Sequence, residues 1–480
     1  MQKQVSVLDF LPKAEHAAIH AGTSRYDCTS GIQAAINGAS KVFVPPGVYL
    51  TKQLNLKSDV EFYGAGPSSE LRAYDSSMAC QFLLATYIRD EGTTNTADNM
   101  RNISVHHLKL NGRVAEFGYQ PFYYLLAVNA TSDMKVQQVT FYGFRGDGMY
   151  VGSGTLHDSQ RHNQRVSVQN CLFDGVVKSN RNGLSVIDCD GLTVDHCVFQ
   201  NIGNAKLASS VGGIDFEPDH DWSIYRNIVI RNCSFKNIDT PNTAGIVFHN
   251  VHQTGENISD WSVSNCQFDN CFGGVVCASK PKTATDPADN LAILNCHFLN
   301  SVRTDVAVNG LSGARISGCV FEHVPPGSGA GGDAIRLGRV TSAASANAIN
   351  AVITGNTFAG IRPQLGVIGV LGVHGLACAG NIFRDIYGAC IGFSADEAAD
   401  TAGHINAVII SGNTVTHAVR SAGGPPANTV FLSIVDKSMR RISGNLQLDS
   451  TSFEYNNQLD GSVRRAANGT SIQFSGRVKS

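Results

Sequence analysis

The segment "GGIDFEPDHDW", Gly212–Trp222, sets a carboxylate at every second position: Asp215, Glu217, Asp219 and Asp221. Only 16% of the chain is charged, so the excess is local. If the segment is extended, Asp215 and Glu217 project from one face with Cα atoms about 6.6 Å apart. Two carboxyl groups so placed can break an acetal. One protonates the leaving oxygen, while the other activates a water at a separation of about 6.5–9.5 Å or attacks directly at about 5 Å. Side-chain freedom leaves both geometries open. The same oxygens also suit a merely solvated edge. The alternation mimics the start of an EF-hand loop, but counting from Asp215 the sixth residue is His220 rather than glycine and the twelfth is Arg226 rather than glutamate. That loop is excluded. A looser calcium site near Asp215–Asp221 is open but not favoured, and no other metal or cofactor is expected.

The elements that must hold these side chains announce themselves as a repeat. "VSVQNCLFDGV" from Val166 recurs as "LTVDHCVFQNI", "IVIRNCSFKNI", "WSVSNCQFDNC", "LAILNCHFLNS" and "ARISGCVFEHV". Later copies, such as "AVITGNTFAGI" and "LACAGNIFRDI", replace the cysteine with asparagine. The shared position falls at Cys171, Cys197, Cys233, Cys266, Cys296, Cys319, Asn356, Asn381, Asn413 and Asn445, at intervals of 23 to 37 residues. Apolar and polar residues alternate within each copy, the period of a half-buried strand. Such units bury a face only by stacking, so the chain reads as a parallel β-helix with interior ladders of Cys/Asn and of Phe173 through Phe383.

A further strand follows each copy. "RNGLSVIDCD", "VGGIDFEPDHD", "AGIVFHNVHQ" and "GGVVCASKPK" align on Gly183, Gly213, Gly245 and Gly274. Leu184, Val186, Ile214 and Phe216 then point inward, and Asp215 and Glu217 outward. The alignment puts Ser185 beside Asp215 and His249 beside Glu217, where an imidazole could tune proton transfer. Asp219, His220, Asp221 and His252 fall in the adjoining turns, with Arg181 and Asp188 one rung earlier. Asp147 in "FRGDGMYV" is placed to line the same groove, or to make an ordinary Asp-Gly turn. Trp222 and Trp261 flank the acidic region as an apolar wall. The aromatics of "FGYQPFYYLLAV" suit core packing better than sugar stacking.

The 37 basic and 39 acidic residues nearly cancel, so no general attraction to nucleic acid or anionic membrane is expected. Thirteen cysteines without a CxxC pair suit buried, reduced thiols rather than disulfides or zinc. "MQKQVSVLDF" lacks the apolar run of a signal peptide, and no segment reads as membrane-inserting. Serine-hydrolase and phosphate-loop patterns are absent.

"PKAEHAAIHAG" and "DCTSGIQAAINGA" read as short helices plugging the open end of the solenoid, whose bare strand edges would otherwise invite pairing with other chains. "EHAAIH" is not the order of a zinc protease, and His16 and His20 are assigned no metal. "VSVLDFLPKAEHAAIHAGTSRYDCTSGIQAAING" with "VFVPPGVYL" resembles the β-helix entry of bacteriophage tailspikes and capsule depolymerases, within the pectate-lyase-like superfamily. The likeness is phrase by phrase over the first 66 residues and architectural thereafter. "NRNGLSVIDCDGLTV" with "GGIDFEP" resembles a stretch of bacterial right-handed β-helix repeat proteins. The resemblance implies a right-handed parallel β-helix, a homotrimer, and binding and cleavage of a bacterial surface polysaccharide. Tailspikes carry an N-terminal anchoring domain, whereas four residues precede "VSVLDF" here. A missing anchor, a virion adaptor protein and a protein outside the virion are the alternatives this leaves.

The expectation is therefore all-β: residues 1–45 an entry segment and helical cap, 46–450 the right-handed parallel β-helix, 451–480 C-terminal strands. Asp215, Glu217 and His249 are the catalytic candidates. Asp219, Asp221, His220, His252, Arg181, Asp188, Asp147 and Trp222 are the substrate-binding candidates. The expected activity is glycoside hydrolysis of capsule, O-antigen or exopolysaccharide. It would take place at a phage tail, or outside the cell without a classical signal peptide. The rivals are a lyase or C5-epimerase acting on a uronate glycan, and a non-catalytic glycan-binding adhesin or tail component.

Overall fold

A computed structural model describes residues 4–77, 82–86, 100–152, 161–207, 211–220, 222–250, 258–279, 289–324, 332–340, 345–346, 348–394, 405–416, 429–435, 441–442, 444–448, 452–460, 463–466 and 470–474. The chain forms two compact units, Met1–Thr243 with His252–Ile258, and Ala244–Val251 with Ser259–Ser480.

In the first unit the repeated phrase is one long strand at Met100–Asn111 and Thr131–Tyr142, and from Gln164 onward it divides, giving three short strands to a coil, one more than the alternation alone suggests. The repeated phrase bends in its middle, so that Gln164–Gln169 and Leu172–Asp174 are separate strands. Asn170 makes the bend with φ at 53°, and His196 and Asn232 repeat it at 54° and 56°. Asparagine tolerates this left-handed conformation better than most side chains, because its short amide bonds locally. Parallel pairing then carries each strand onto its equivalent, with Val166, Leu192 and Ile228 in one file and Phe173, Phe199 and Phe235 in another. The third strand forms its own parallel sheet through Tyr124–Asn129, Met149–Gly152, Leu184–Val186 and Val211–Phe216.

Register puts like on like. The rings of Phe141, Phe173, Phe199 and Phe235 stack at 4.4, 4.5 and 5.0 Å, within 6° of parallel. The glycine that opens the third strand makes room for them: a Cβ at Gly183 would lie 2.7 Å from the Phe199 ring. Beside the rings, the thiols of Cys171, Cys197 and Cys233 donate to carbonyls of the preceding coil, those of Val136, Val168 and Val194. The short helices His16–Ala21 and Thr29–Gly38 close this unit at its N-terminal end, burying Ile19, Ile32, Ala35 and Ile36. The Nδ1 of His20 meets the Pro46 carbonyl and the Nε2 of His16 that of Leu11.

The second unit continues the same grammar. Phe268, Phe298, Phe321, Phe358 and Phe383 stack at 4.7 to 4.9 Å, and a Cβ at Gly274 would lie 2.5 Å from Phe298. Here the thiols give way to amides. Asn356 Nδ2 donates to the Ile316 carbonyl, Asn381 Nδ2 to that of Ile353 and Asn413 Nδ2 to that of Cys378, at 3.0, 3.0 and 3.1 Å. Each amide oxygen in turn accepts the backbone N–H of its predecessor in the ladder: Cys319 to Asn356, Asn356 to Asn381, Asn381 to Asn413.

The last rung differs from the expectation. Asn413 passes its N–H to Asn457, 3.0 Å away, and Ile405–Ser411 pairs with Phe453–Tyr455. Asn445 lies instead on Gly444–Leu448, in a separate two-stranded sheet with Thr470–Phe474. "ISGN" matches the repeated phrase, but "FEYNN" supplies the alternation and the amide that the stack uses.

Two outcomes follow. Phe298→Ala opens a gap between two stacked rings and lowers unfolding free energy by about 3–5 kcal/mol, read from denaturant midpoints. The described cysteines, all free and buried, react with a thiol reagent only once denaturant unfolds the coils.

Candidate functional site

The third-strand sheet of the first unit brings the acidic residues together. Ser185 and Asp215 are direct partners, as are Tyr150 and Ser185, so the glycine alignment reads this register correctly. The face is not open, however. Val211–Phe216 is buried along its whole length, and Asp215 is 1% exposed. Its expected display to solvent is thus corrected: the outer side of this strand is covered. Glu217, just past the strand end, keeps a third of its side chain exposed.

A network fixes Glu217. Arg181 grips the buried Asp147 with two bonds, Nε to Oδ1 at 2.9 Å and Nη2 to Oδ2 at 2.7 Å. The same Nη2 reaches Glu217 Oε1 at 3.1 Å. Ser185 Oγ lies 3.0 Å from Asp147 Oδ2 and 3.4 Å from Glu217 Oε1, while Asn182 donates its backbone N–H to Asp147 and its amide to Ser185. Asp147 therefore does not line the groove. It is 0% exposed and holds the arginine that holds the glutamate. Ser185, Asn182 and Tyr150 belong to the site although no motif marks them. The available signal was register, which set Ser185 beside Asp215.

Burial disfavours the charged form of each carboxyl here. It pushes Glu217 up to about 7, Arg181 opposing and Asp147 and Asp219 adding to the rise. Asp215 is raised well above the usual carboxylate range, first by burial and then by the charge of Glu217. Its Oδ1 has no hydrogen-bond partner among the described residues. Burial alone would lower the Arg181 guanidinium, but Asp147 and Glu217 outweigh it and keep it firmly charged. Tyr150 stacks on Tyr124 at 4.6 Å and 5°, and burial raises both phenols.

Asp188 is fully buried, bonding His162 Nδ1 at 2.9 Å and the backbone N–H of Asn163 and Ile224, so it ties turns together rather than meeting a ligand. Asp219 and His220 are exposed in the turn after Glu217. Trp222 stacks on His220 at 4.5 Å and meets the edge of His162. Trp261 is core, 1% exposed and stacked on Phe248 within the second unit. His249 also belongs to the second unit, opposite Ala278, and burial lowers its imidazole. Asp221 and His252 lie outside the described residues. Among the described residues no group of three metal-binding side chains is arranged to hold an ion, and no helix is long and apolar enough to cross a membrane.

Stacked parallel strands with a covered acidic file beside a partly open glutamate make this part of the chain a β-helix. Residues 20–233 match the family described as "Rhamnogalacturonase A/epimerase, pectate lyase-like". Solved structures agree on the fold. An N-terminal fragment of gene product 12 of bacteriophage phi29 is 14% identical with a TM-score of 0.51, covering 95% of this chain and 86% of its own. Tailspike protein 3 of bacteriophage CBA120 is 14% identical at 0.50, covering 99% of this chain and 61% of its own. The protein is a right-handed parallel β-helix. An uncharacterized Bacillus subtilis protein, YclG, is 28% identical over 116 residues; the match spans 23% of this chain and 19% of YclG.

The raised Glu217 has a measurable sign. Folded, it keeps its proton to about 7, whereas its ordinary value is 4.5. Between those values the native state binds more protons than the unfolded chain, so stability falls as pH rises through the window. Glu217→Gln flattens that slope, seen in denaturant midpoints taken at pH about 5 and about 7.5. Asp147→Asn leaves the Arg181 charge half-compensated and costs about 3–5 kcal/mol in the same assay.

Proposed function

We propose that this protein acts on a bacterial surface polysaccharide and cleaves it by glycoside hydrolysis at Glu217. The observation that carries the reading is a partly open glutamate whose proton is retained to about pH 7 beside an arginine at 3.1 Å. Enzymes tune glutamate toward this range to serve as a general acid. Glu217 gives its proton to the glycosidic oxygen, the bond from that oxygen to the anomeric carbon breaks, and Arg181 stabilises the carboxylate left behind. Water adds to the anomeric carbon and loses its proton to Asp219, the exposed carboxylate of the adjoining turn. Asp215 shares protons with Glu217, since two like charges on one strand face cannot both be comfortable out of water. The match to a carbohydrate-active family over residues 20–233 supports this class of substrate, and the likeness to phage tail structures supports a homotrimer at a virion tail, joined through its own anchor or an adaptor.

The test is incubation with a panel of capsular, O-antigen and exopolysaccharides, with products read by mass. Hydrolysis adds one water per cut and gives no product absorbing near 235 nm. Glu217→Gln lowers the rate about 10²–10⁴-fold, and activity of the parent declines as pH rises through about 7, where the acid is lost. An unsaturated product end would replace hydrolysis with elimination, and unchanged chain lengths with every glycan would leave a binding protein.

A further inference from the structure

The second unit carries a run of guanidinium groups where successive coils enter their third strand. Backbone bonds fix the order of these coils. Arg303 donates its N–H to the Phe272 carbonyl at 2.9 Å, and Tyr387 donates to that of Ile361 at 2.9 Å. Between them, Val306, Ile335 and Ile368 pair in register, and Asp333 Oδ1 accepts the N–H groups of Gln364 and Leu365 at 3.1 and 2.9 Å. Arg303, Arg336 and Arg362 therefore sit on three consecutive coils, which stack at about 4.8 Å. Each is held in place. Arg336 gives Nε and Nη2 to Oδ2 of the buried Asp333, at 3.1 and 2.9 Å, and keeps 24% of its side chain exposed. Arg303 and Arg362 are exposed, their guanidinium carbons 5.9 Å over the Phe272 ring and 5.8 Å over the Tyr387 ring, close enough for attraction to the negative ring faces. Among the described residues neither has a carboxylate partner. Of the acids on these coils, Asp333 is engaged by Arg336 and Asp305 is 2% exposed. Asp269, Glu322 and Asp385 precede the turns; Glu322 faces His297 at 3.6 Å, and Asp385 follows Arg384. A guanidinium fixed on one side offers its remaining N–H groups in one plane, the match for the paired oxygens of a carboxylate or sulfate. Phe272 and Tyr387 are each covered by an arginine, so they give no bare face to a nucleobase, and a charged sugar chain fits better than a nucleic acid.

We infer that Arg303, Arg336 and Arg362 form a binding site for an anionic glycan, one carrying carboxylate or sulfate groups along its length. The site belongs to the second unit and does not depend on chemistry at Glu217: it stands whether the protein cleaves a glycan or only binds one. The probes are a heparin-derived hexasaccharide, maltohexaose as its uncharged counterpart, and a dT dodecamer, each titrated calorimetrically into the whole protein. The heparin hexasaccharide is expected to bind at least about tenfold more tightly than the other two, with an affinity that falls as salt rises. Arg303→Gln together with Arg362→Gln lowers that affinity at least about tenfold and leaves the denaturant midpoint unchanged. Either single variant gives part of the same loss. Arg165→Gln, which removes an exposed arginine of the first unit paired with Asp133, leaves the affinity as it is. Equal binding of maltohexaose overturns the inference, and so does an affinity that the double variant retains, because the attraction would then come from charge elsewhere. Equal or tighter binding of the dT dodecamer also overturns it, since the arginines would then be reading phosphodiesters rather than a sugar acid.

Discussion

One constraint governs this molecule: each coil must return in register with the one before it, at the spacing of hydrogen-bonded strands, about 4.8 Å. Aromatic rings that stack between 4.4 and 5.0 Å are the side-chain expression of that spacing. A slip of one residue would turn every phenylalanine outward and every outward polar group into the core. The left-handed corners at Asn170, His196 and Asn232 and the missing Cβ at Gly183 are what the spacing demands of the backbone. Loops between strands are free to vary because none of them sets the register.

The acidic site is a consequence of the same register. Tyr150, Ser185 and Asp215 occupy one file because their strands pair residue for residue. The file is where an unusual side chain can be inserted without disturbing the interior, since Leu184, Val186, Ile214 and Phe216 keep the inward side unchanged. What makes the site chemically distinct is the covering of its outer side. Without that cover Asp215 would ionise in water and Glu217 would have no reason to keep a proton.

Register was legible in the residues, because period-two alternation, a recurring Cys/Asn and an aligned glycine are properties of neighbours in the chain. So was the pairing of Ser185 with Asp215. Burial was not. Asp147, Asp188 and Asp215 look like three exposed carboxylates of a polar edge, yet each is enclosed, and enclosure depends on chain distant in sequence rather than on the local alternation. The same limit explains Asn445. A local phrase identifies a rung only when the intervening chain delivers it to the stack, and here Asn457 arrives in its place.

The asparagine ladder has a polarity that the thiol ladder expresses only weakly. Asn356, Asn381, Asn413 and Asn457 each turn the amide oxygen to the preceding rung's N–H, and each nitrogen donates to a carbonyl of the chain already laid down. Forward, each rung offers only donors: its backbone N–H and its amide nitrogen both give to the oxygen of the next asparagine. A chain emerging from its N-terminus would lock one coil at a time, always one step behind its growing end. Asn457 is the clasp that closes the series, which gives a residue near the C-terminus authority over coils made long before it.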